Sequence, residues 1–538
     1  MDNSLEISLE ELFHRRDWVL VIMQKINGYD VVIVGAGSAG SVLAARLSEH
    51  QELSVCLIEA GPDYSDIGAT PIDLRNAKQN SLNDHDWKHR YEPTAEASPV
   101  HFPRGRVTGG SSAVNTAIAL RGIPEDYDHW AELGNTEWSW DNVLPKFQRL
   151  ERDIDYGHKD FHGDAGPILI RRHPWDELSE THQAWWETAR ELGIPDCPDH
   201  NDPNGWGAGP QPMNKINGVR ISTAIGYLAP ARLRPNLTIR PDTHLVKVNF
   251  DSSAVSGVQV INRTRDVEDI RARLVILSAG AILTPGILLR SGIGDSADLE
   301  RLGVHQIANM PAVGRNLQDH PMVSLTCEIS KSDLVSQELP LIQTVMRYTA
   351  DNSEYRNDLQ IELTSWTQRD DIPNAVSLLG VLEQSFGRGY VTFNSSDPFE
   401  QPRITPLFCE DERDTIRLRQ ALNDCLEFTK TGPFGSLTKN VTFNDYELDI
   451  LAEEQILGLI RTHAKSGYHP TGTARMGPVD DANSVVDQYG ICHAVSGLVV
   501  ADASIMPTVP RANTNLTSIM IGEHISDFIS QDTDRYNL

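Results

Sequence analysis

The stretch YDVVIVGAGSAGSVLAARLSEH, Tyr29 to His50, decides the fold. Val31–Val34 is a short β-branched run, the pattern of a strand buried on both faces. The chain then turns through Gly35, Gly37 and Gly40, and from Ser38 and Ala39 onward the apolar spacing becomes helical. A second strand pattern, SVCLIEAG, carries Glu59 at its end, nineteen residues beyond Gly40. Strand, glycine turn, helix, strand and acid in this register form a dinucleotide-binding βαβ unit. Gly35 permits the tight turn, Gly37 lets a pyrophosphate approach the backbone, and Gly40 allows close helix–strand packing. The helix beginning at Ser38 and Ala39 presents its positive end to that pyrophosphate. Glu59 is placed to accept hydrogen bonds from ribose hydroxyls. The pattern leaves NAD and FAD both open; its bland alternative is a glycine-rich turn in another α/β domain.

The surrounding chain is long enough for two to four domain-sized units at 538 residues. Lys plus Arg number 47 against 75 Asp plus Glu, a net charge of −28. Such a surface repels phosphate backbones and anionic membranes, which argues against nucleic acid as a partner. Cys56, Cys197, Cys327, Cys409, Cys425 and Cys492 form no C-x-x-C pair and read as reduced core thiols. Residues 1–27 read as an extension with a short amphipathic helix. Their apolar run, Trp18–Met23, is too short for a signal peptide or a membrane span, and no segment reaches ~18 uninterrupted apolar residues. A cytoplasmic protein without membrane insertion is expected. The sequons at Asn236, Asn262, Asn394, Asn440 and Asn515 carry meaning only in a secreted chain.

Three further segments carry signals of this kind, the first a loop and the other two at predicted strand ends. GRVTGGSSAVN, Gly105 to Asn115, is rich in backbone N–H donors that can lie against a planar ligand, or else a mobile surface loop. RLVILSAGAILTPGILLRSGIG reads as a strand, a small-residue turn, and a helix with Pro285 in its first turn and Gly292 at its end. GLVVADASIMP is a strand, Leu498–Ala501, with Asp502 at its carboxyl end, where ligands of α/β sheets gather. A helical pattern follows, opened by Asn513, Thr514 and Asn515.

With VGRNLQDHP at Val313–Pro321, YHPTGTARMG at Tyr468–Gly477 and PRANTN, these segments resemble the glucose-methanol-choline (GMC) oxidoreductases. That family comprises FAD-dependent alcohol oxidases and dehydrogenases, and the likeness is nearest to its choline-oxidising and hydroxymethylfurfural-oxidising members. It runs over about 480 residues and thins only in the extension and between about 325 and 450. The resemblance implies an α/β fold of two interwoven domains: a Rossmann-like FAD-binding domain and a substrate domain of antiparallel sheet flanked by helices. On this reading residues 28–310 begin the FAD domain, with inserted substrate-domain segments. Residues 311–460 form the substrate domain, and 461–538 return to the FAD domain with the active-site His and Asn. PMVSLTCEI and GYVTF are its candidate strands; EDERDTIRLRQALNDCLEFTK and ELDILAEEQILGLIRTHA are its candidate helices.

The resemblance assigns catalysis to His469 and Asn513. A neutral imidazole suits removal of a hydroxyl proton as hydride passes to flavin N5, and Asn513 donates to the substrate oxygen. Alone, the YHPTGTARMG stretch favours a structural histidine bonded to a carbonyl, and Asn513 also fits a plain helix cap. Flavin contacts are carried over to Arg106, Gly109, Gly110, Ser111, Asn115, Val246, Ala501, Asp502 and Thr514, beside the glycine-turn residues and Glu59. Thr108 departs from the family's usual aliphatic residue. Val114 stands where some members carry a flavin-linked histidine, so FAD is expected to bind non-covalently. No metal is expected: His158 and His162 have ligand-like spacing but lack a third partner. His320 reads as structural, and His463 lies on the polar side of a helix.

The expected partners are a small aromatic, furanic or allylic alcohol and O2 or another electron acceptor. A quinone-linked dehydrogenase, a hydroxynitrile lyase and a non-enzymatic flavin binder are the alternatives, and a homo-oligomer is possible.

Overall fold

The computed structural model describes residues 28–66, 68–367, 369 and 371–538; the proposed N-terminal extension lies outside them. Two seven-stranded sheets organise these residues. In the first, Tyr29–Val34 lies between Val55–Ile58 and Val267–Leu277, parallel to both. Leu237–Arg240 continues the parallel sheet at one side, and Leu498–Val500 joins Val267–Leu277 at the other. The last partnership brings the far end of the chain back beside the glycine turn. The longer Val267–Leu277 strand also serves an antiparallel meander with Ala254–Ile261 and His244–Asp251. Val31, Val32, Ile33, Leu274 and Ile276 are fully buried, as a central parallel strand pair requires.

Helix Ser38–Leu47 covers this sheet, and helix Thr514–Gln531 crosses it at close range. The crossing is set at Gly522, where a Cβ would lie 2.8 Å from the Ala39 carbonyl oxygen and the Val42 Cβ. Arg46 and buried Glu523 pair across the same contact. Gly40 acts as expected: a Cβ there would strike the Gly35 oxygen at 1.9 Å.

The second sheet runs Thr438–Phe443, Pro321–Ile329, Ala375–Leu382, Leu359–Thr364, Ile342–Tyr348, Gly207–Pro210, with Lys465–Ser466 also pairing Pro321–Ile329. Neighbours along that order are antiparallel. Helix Glu412–Lys430 packs on it, started by Asp411, whose side chain accepts from Arg413 N. PMVSLTCEI is therefore a strand of this sheet. Tyr390–Thr392, from GYVTF, instead pairs in a separate four-stranded sheet with Arg403–Thr405, His89–Tyr91 and Val100–Phe102. In ELDILAEEQILGLIRTHA only Glu453–His463 is α-helical; Leu448–Ile450 forms a 3-10 turn before it.

Pro285 differs from its expected place. The helix begins at Gly280, so Pro285 stands in its interior. A proline there removes the bond to the carbonyl four residues back, that of Ala281. Thr473 replaces it: its Oγ1 donates to the Ala281 oxygen at 2.6 Å. Tertiary structure thus completes a helix that local rules would have started later.

Candidate active site

The two sheets enclose a cavity of about 660 Å3. Three helix beginnings face it: Gly37–Ser38, Gly280 and Asn513–Thr514. Of the residues expected to hold the cofactor, Gly35, Gly37, Ser38, Ala39, Glu59, Gly110, Ser111, Asn115, Asp502, Asn513 and Thr514 line the cavity. Gly40, Arg106, Gly109, Val246 and Ala501 support that lining from behind or beside it. Gly109 N donates to the Ala36 oxygen, and Arg106 Nη2 donates to the Ala60 oxygen next to Glu59. The Val246 oxygen accepts from Arg290 Nε, while its neighbours His244 and Leu245 reach the cavity. Ala501 joins Leu277 and Ser278 through its backbone.

The glycine turn fits a dinucleotide. Gly35 has φ +98, closed to most side chains. Gly110 has φ +51, and a Cβ on it would lie 2.7 Å from the Gly37 Cα. Glu59 Oε2 accepts from Ala36 N and Oε1 from Gly61 N. Burial pushes its pKa up to about 7. Asn515 Nδ2 and Asn513 Oδ1 are buried beside the cavity without partners, the signature of a polar ligand still to be met. Thr108 is accommodated because its N–H and hydroxyl both donate to the Pro62 oxygen. Val114 lines the same loop and packs with Leu74, Val107 and Ala113. Asp502 ties sheet to helix: Oδ2 accepts from Gly280 N and Thr284 Oγ1, and Oδ1 from Ser504 N.

His469 and Asn513 meet opposite this cradle, with Asn513 Nδ2 3.0 Å from His469 Nε2. Tyr468 precedes the histidine with φ +69, a strained conformation for a non-glycine residue. Two bonds hold it: Tyr468 N donates to Ser466 Oγ, and Arg104 Nη2 donates to the Tyr468 oxygen. Asp319 Oδ1 accepts from the backbone N–H groups of both His320 and His469. Burial pushes Asp319 up to about 6, against these bonds and the nearby Arg104 charge. Asn513 makes no side-chain cap on its helix, so its amide is directed to His469 instead.

His320, read from sequence as structural, is part of this arrangement. Its Nε2 lies 3.0 Å from the Pro510 carbonyl oxygen, which can only accept, so Nε2 carries the hydrogen. Burial holds His320 at about 3 and His469 well below its ordinary value, the latter helped by His320 and Arg104. Both rings are neutral near pH 7. The bare His320 Nδ1 then accepts from His469 Nδ1–H at 2.9 Å. His469 Nε2 is left with its lone pair toward Asn513 and the cavity. Glu383 Oε2 stands 3.2 Å from His320 Nδ1 without a hydrogen bond, and burial pushes Glu383 up to about 8. A protonated Glu383 avoids placing a carboxylate against that lone pair. The DHP triplet in VGRNLQDHP was visible in sequence; its contact with a residue 149 positions away was not.

His162 does find partners that spacing could not show. Glu151, Asp153 and His162 bring ligand atoms together, and His158 is not among them. His162 Nδ1 bonds Glu151 Oε1 and Nε2 bonds Asp199 Oδ2, while Arg172 Nη1 donates to both Asp153 oxygens. Burial alone would lower the His162 pKa, but the Asp199 and Glu151 carboxylates raise it. The His162 ring, held between two carboxylates, and the guanidiniums of Arg172 and Arg121, the latter 3.6 Å from Glu151, stand against these three acids, so the cluster is an ion-pair network. No helix among the described residues is long and apolar enough to cross a membrane.

Two parts of a GMC oxidoreductase family model match residues 29–322 and 385–522. Over 535 residues the chain is 34% identical to the 5-(hydroxymethyl)furfural oxidase of Methylovorus sp. (strain MP688), spanning 93% of this chain and 98% of that protein. It is 32% identical over 548 residues to oxygen-dependent choline dehydrogenase 1 of Chromohalobacter salexigens, spanning 94% and 95%. The crystal structure of pyridoxine 4-oxidase from Mesorbium loti superimposes with a TM-score of 0.86 at 29% identity, covering 94% of this chain and 99% of that one.

Proposed function

The chain belongs to the GMC oxidoreductase family and is an FAD-dependent oxidoreductase of alcohols; on that premise we propose that it oxidises small aromatic, furanic or allylic primary alcohols to aldehydes, with His469 as base and O2 as electron acceptor. The observation that carries the base assignment is the bare Nε2 of His469, 3.0 Å from Asn513 Nδ2, in the cavity that also holds the dinucleotide cradle.

Bound FAD supplies a two-electron hydride acceptor. Gly35, Gly37, Gly110 and Glu59 would hold it, with Asp502 and Thr514 beside them, and Val114 offers no side chain for a covalent link. The protein's own contribution is to the substrate oxygen. Asn513 Nδ2 donates to that oxygen, where negative charge builds as the carbon is oxidised. His469 Nε2 takes the hydroxyl proton, and His320 keeps the ring in the tautomer that can do so. A free alkoxide need not accumulate, because proton and hydride leave the same carbon–oxygen unit. Removing both converts the primary alcohol to the aldehyde.

The test is anaerobic mixing of purified enzyme with a panel of alcohols, followed by oxygen. Bleaching by benzylic, furanic or allylic alcohols and rapid recolouring in oxygen are expected. Slow recolouring would assign the electrons to another carrier, and no bleaching by any alcohol would overturn the substrate reading.

A further inference from the structure

The face of the second sheet turned toward the cavity is laid out in rows by strand register. Met322, Val381 and Gln360 form the row next to His320 and Glu383. Ser324, Leu379 and Glu362 form the row beyond it. Successive rows are two residues apart, roughly 7 Å along a strand.

Glu362 is unusual in this setting. It is 7% exposed, and burial is the one influence on its pKa, pushing it up to about 7. Its Oε1 accepts from Gln360 Nε2 at 2.9 Å and Gln211 Nε2 at 3.4 Å. Among the described residues nothing donates to its Oε2. The amide oxygens of Gln360 and Gln211 are buried without partners, and so is Glu383 Oε2. Beside Glu362 the partnerless amide oxygen on the cavity lining, that of Gln360, is an acceptor, with that of Gln211 behind it; the partnerless donor of this part of the lining is Trp366 Nε1. The cations nearby are engaged elsewhere or set apart. Arg347 donates to the His200 and Arg511 carbonyls, and Arg369 pairs with Asp371 and Asp445. Lys465 lines the same cavity, but it pairs opposite Met322, and its strand is three away from the one that carries Glu362. A buried carboxylate without a cation is costly, so Glu362 stays protonated unless a ligand supplies the charge.

Resting on the alcohol-oxidising reading above, we propose that Glu362 is a second substrate-binding point, and that the preferred alcohols carry a protonated amine remote from the carbon that is oxidised. The ammonium N–H groups satisfy Glu362 Oε2 and the Gln360 amide oxygen, while the hydroxyl lies between His469 and Asn513. One row separates Glu362 from the row next to His320, so hydroxyl and ammonium are held on the order of 10 Å apart, counting the hydrogen bonds at each end. That span fits a ring substituted at opposite ends rather than a two-carbon chain.

The experiment compares anaerobic flavin reduction by 4-(aminomethyl)benzyl alcohol, 4-methylbenzyl alcohol and 1,4-benzenedimethanol in wild type and Glu362→Gln. The expected result is at least a tenfold higher second-order rate for the amine over the methyl compound in wild type. In the variant that gap closes, while the rate for 4-methylbenzyl alcohol is retained. Equal wild-type rates, a preference that persists in the variant, or a diol as fast as the amine would overturn the proposal. Should the variant not fold, 4-methylbenzylammonium, which has no hydroxyl, is titrated into the wild-type holoenzyme. Competition with 4-methylbenzyl alcohol supports the site, and its absence overturns it. No bleaching by any alcohol, with 4-methylbenzylammonium still shifting the flavin spectrum, would sink the alcohol reading and leave the ammonium site standing.

Discussion

His320 Nδ1 lies 2.9 Å from His469 Nδ1, and the Pro510 carbonyl on the other side of His320 decides which of the two carries the hydrogen. This contact orients the lone pair of His469 Nε2 without touching the cavity chemistry itself. His320→Ala should keep its flavin yet reduce it roughly 10–100-fold more slowly, the range typical of a group that orients another. Its acid limb should also move, because His469 Nδ1–H loses the acceptor it bonds in the folded protein. Stopped-flow reduction across pH checks both. An unchanged rate and profile would make His320 a packing residue.

His469 and Asn513 predict different losses. His469→Ala should bind FAD and lose flavin reduction by roughly 10²–10⁴-fold, the usual worth of positioned proton transfer. Asn513→Ala should lose roughly 10²–10³-fold, as expected for one donor to a developing oxyanion. Single-turnover reduction, with flavin content measured in parallel, separates catalysis from cofactor loss.

Val114 predicts that acid precipitation releases the flavin into the supernatant. Yellow colour retained in the pellet would show a covalent link through some other residue.

Thr473→Val should destabilise the fold by about 1–3 kcal/mol, because the Ala281 carbonyl beneath Pro285 is then buried without a donor. Chemical denaturation of the holoenzyme measures it. Thr473→Ser, which keeps the hydroxyl, should recover most of the loss.

Stability should fall on acidification from pH 6.5 to 4.5. Burial pushes His182, His200 and His320 down to about 3, and His89, His244 and His524 to about 4. Below pH 6.5 the unfolded chain binds protons that these folded residues refuse, so unfolding gains. Asp319, Glu59, Glu362 and Glu383 act in the opposite sense, holding protons to about 6, 7, 7 and 8 that the unfolded chain has released. His173, at about 4, and the lowered His469 join the first group, and the raised Asp414, Asp424, Asp487 and Asp502 join the second; the histidines prevail because their unfolded pKa of ~6.5 lies at the top of this window. Thermal midpoints at the two pH values check the sign, and a rise on acidification would mean the acids dominate.

Much of the first sheet was legible because its signals are local. Gly35 needs a positive φ and Gly40 needs a missing Cβ, and each requirement falls on a fixed spacing from Val31–Val34. PMVSLTCEI was legible for the same reason: its bounds coincide with Pro321–Ile329. Pro285 misled because the donor that rescues its helix sits on Thr473, far along the chain. GYVTF was recognisable as a strand, but its partner depends on where Arg403–Thr405 returns.

By itself the sequence determined the dinucleotide unit and the chemical kinds of the proposed catalytic pair, since backbone permissiveness and side-chain acidity are properties of single residues and short windows. Only the tertiary structure decided which nitrogen of His469 is bare, why Asp319 anchors two histidines, and that Glu362 accepts, among the described residues, through Oε1 alone. Those are properties of distances between residues remote in sequence. They depend on strand register and on the burial that shifts a group's pKa, and neither is written in any one segment.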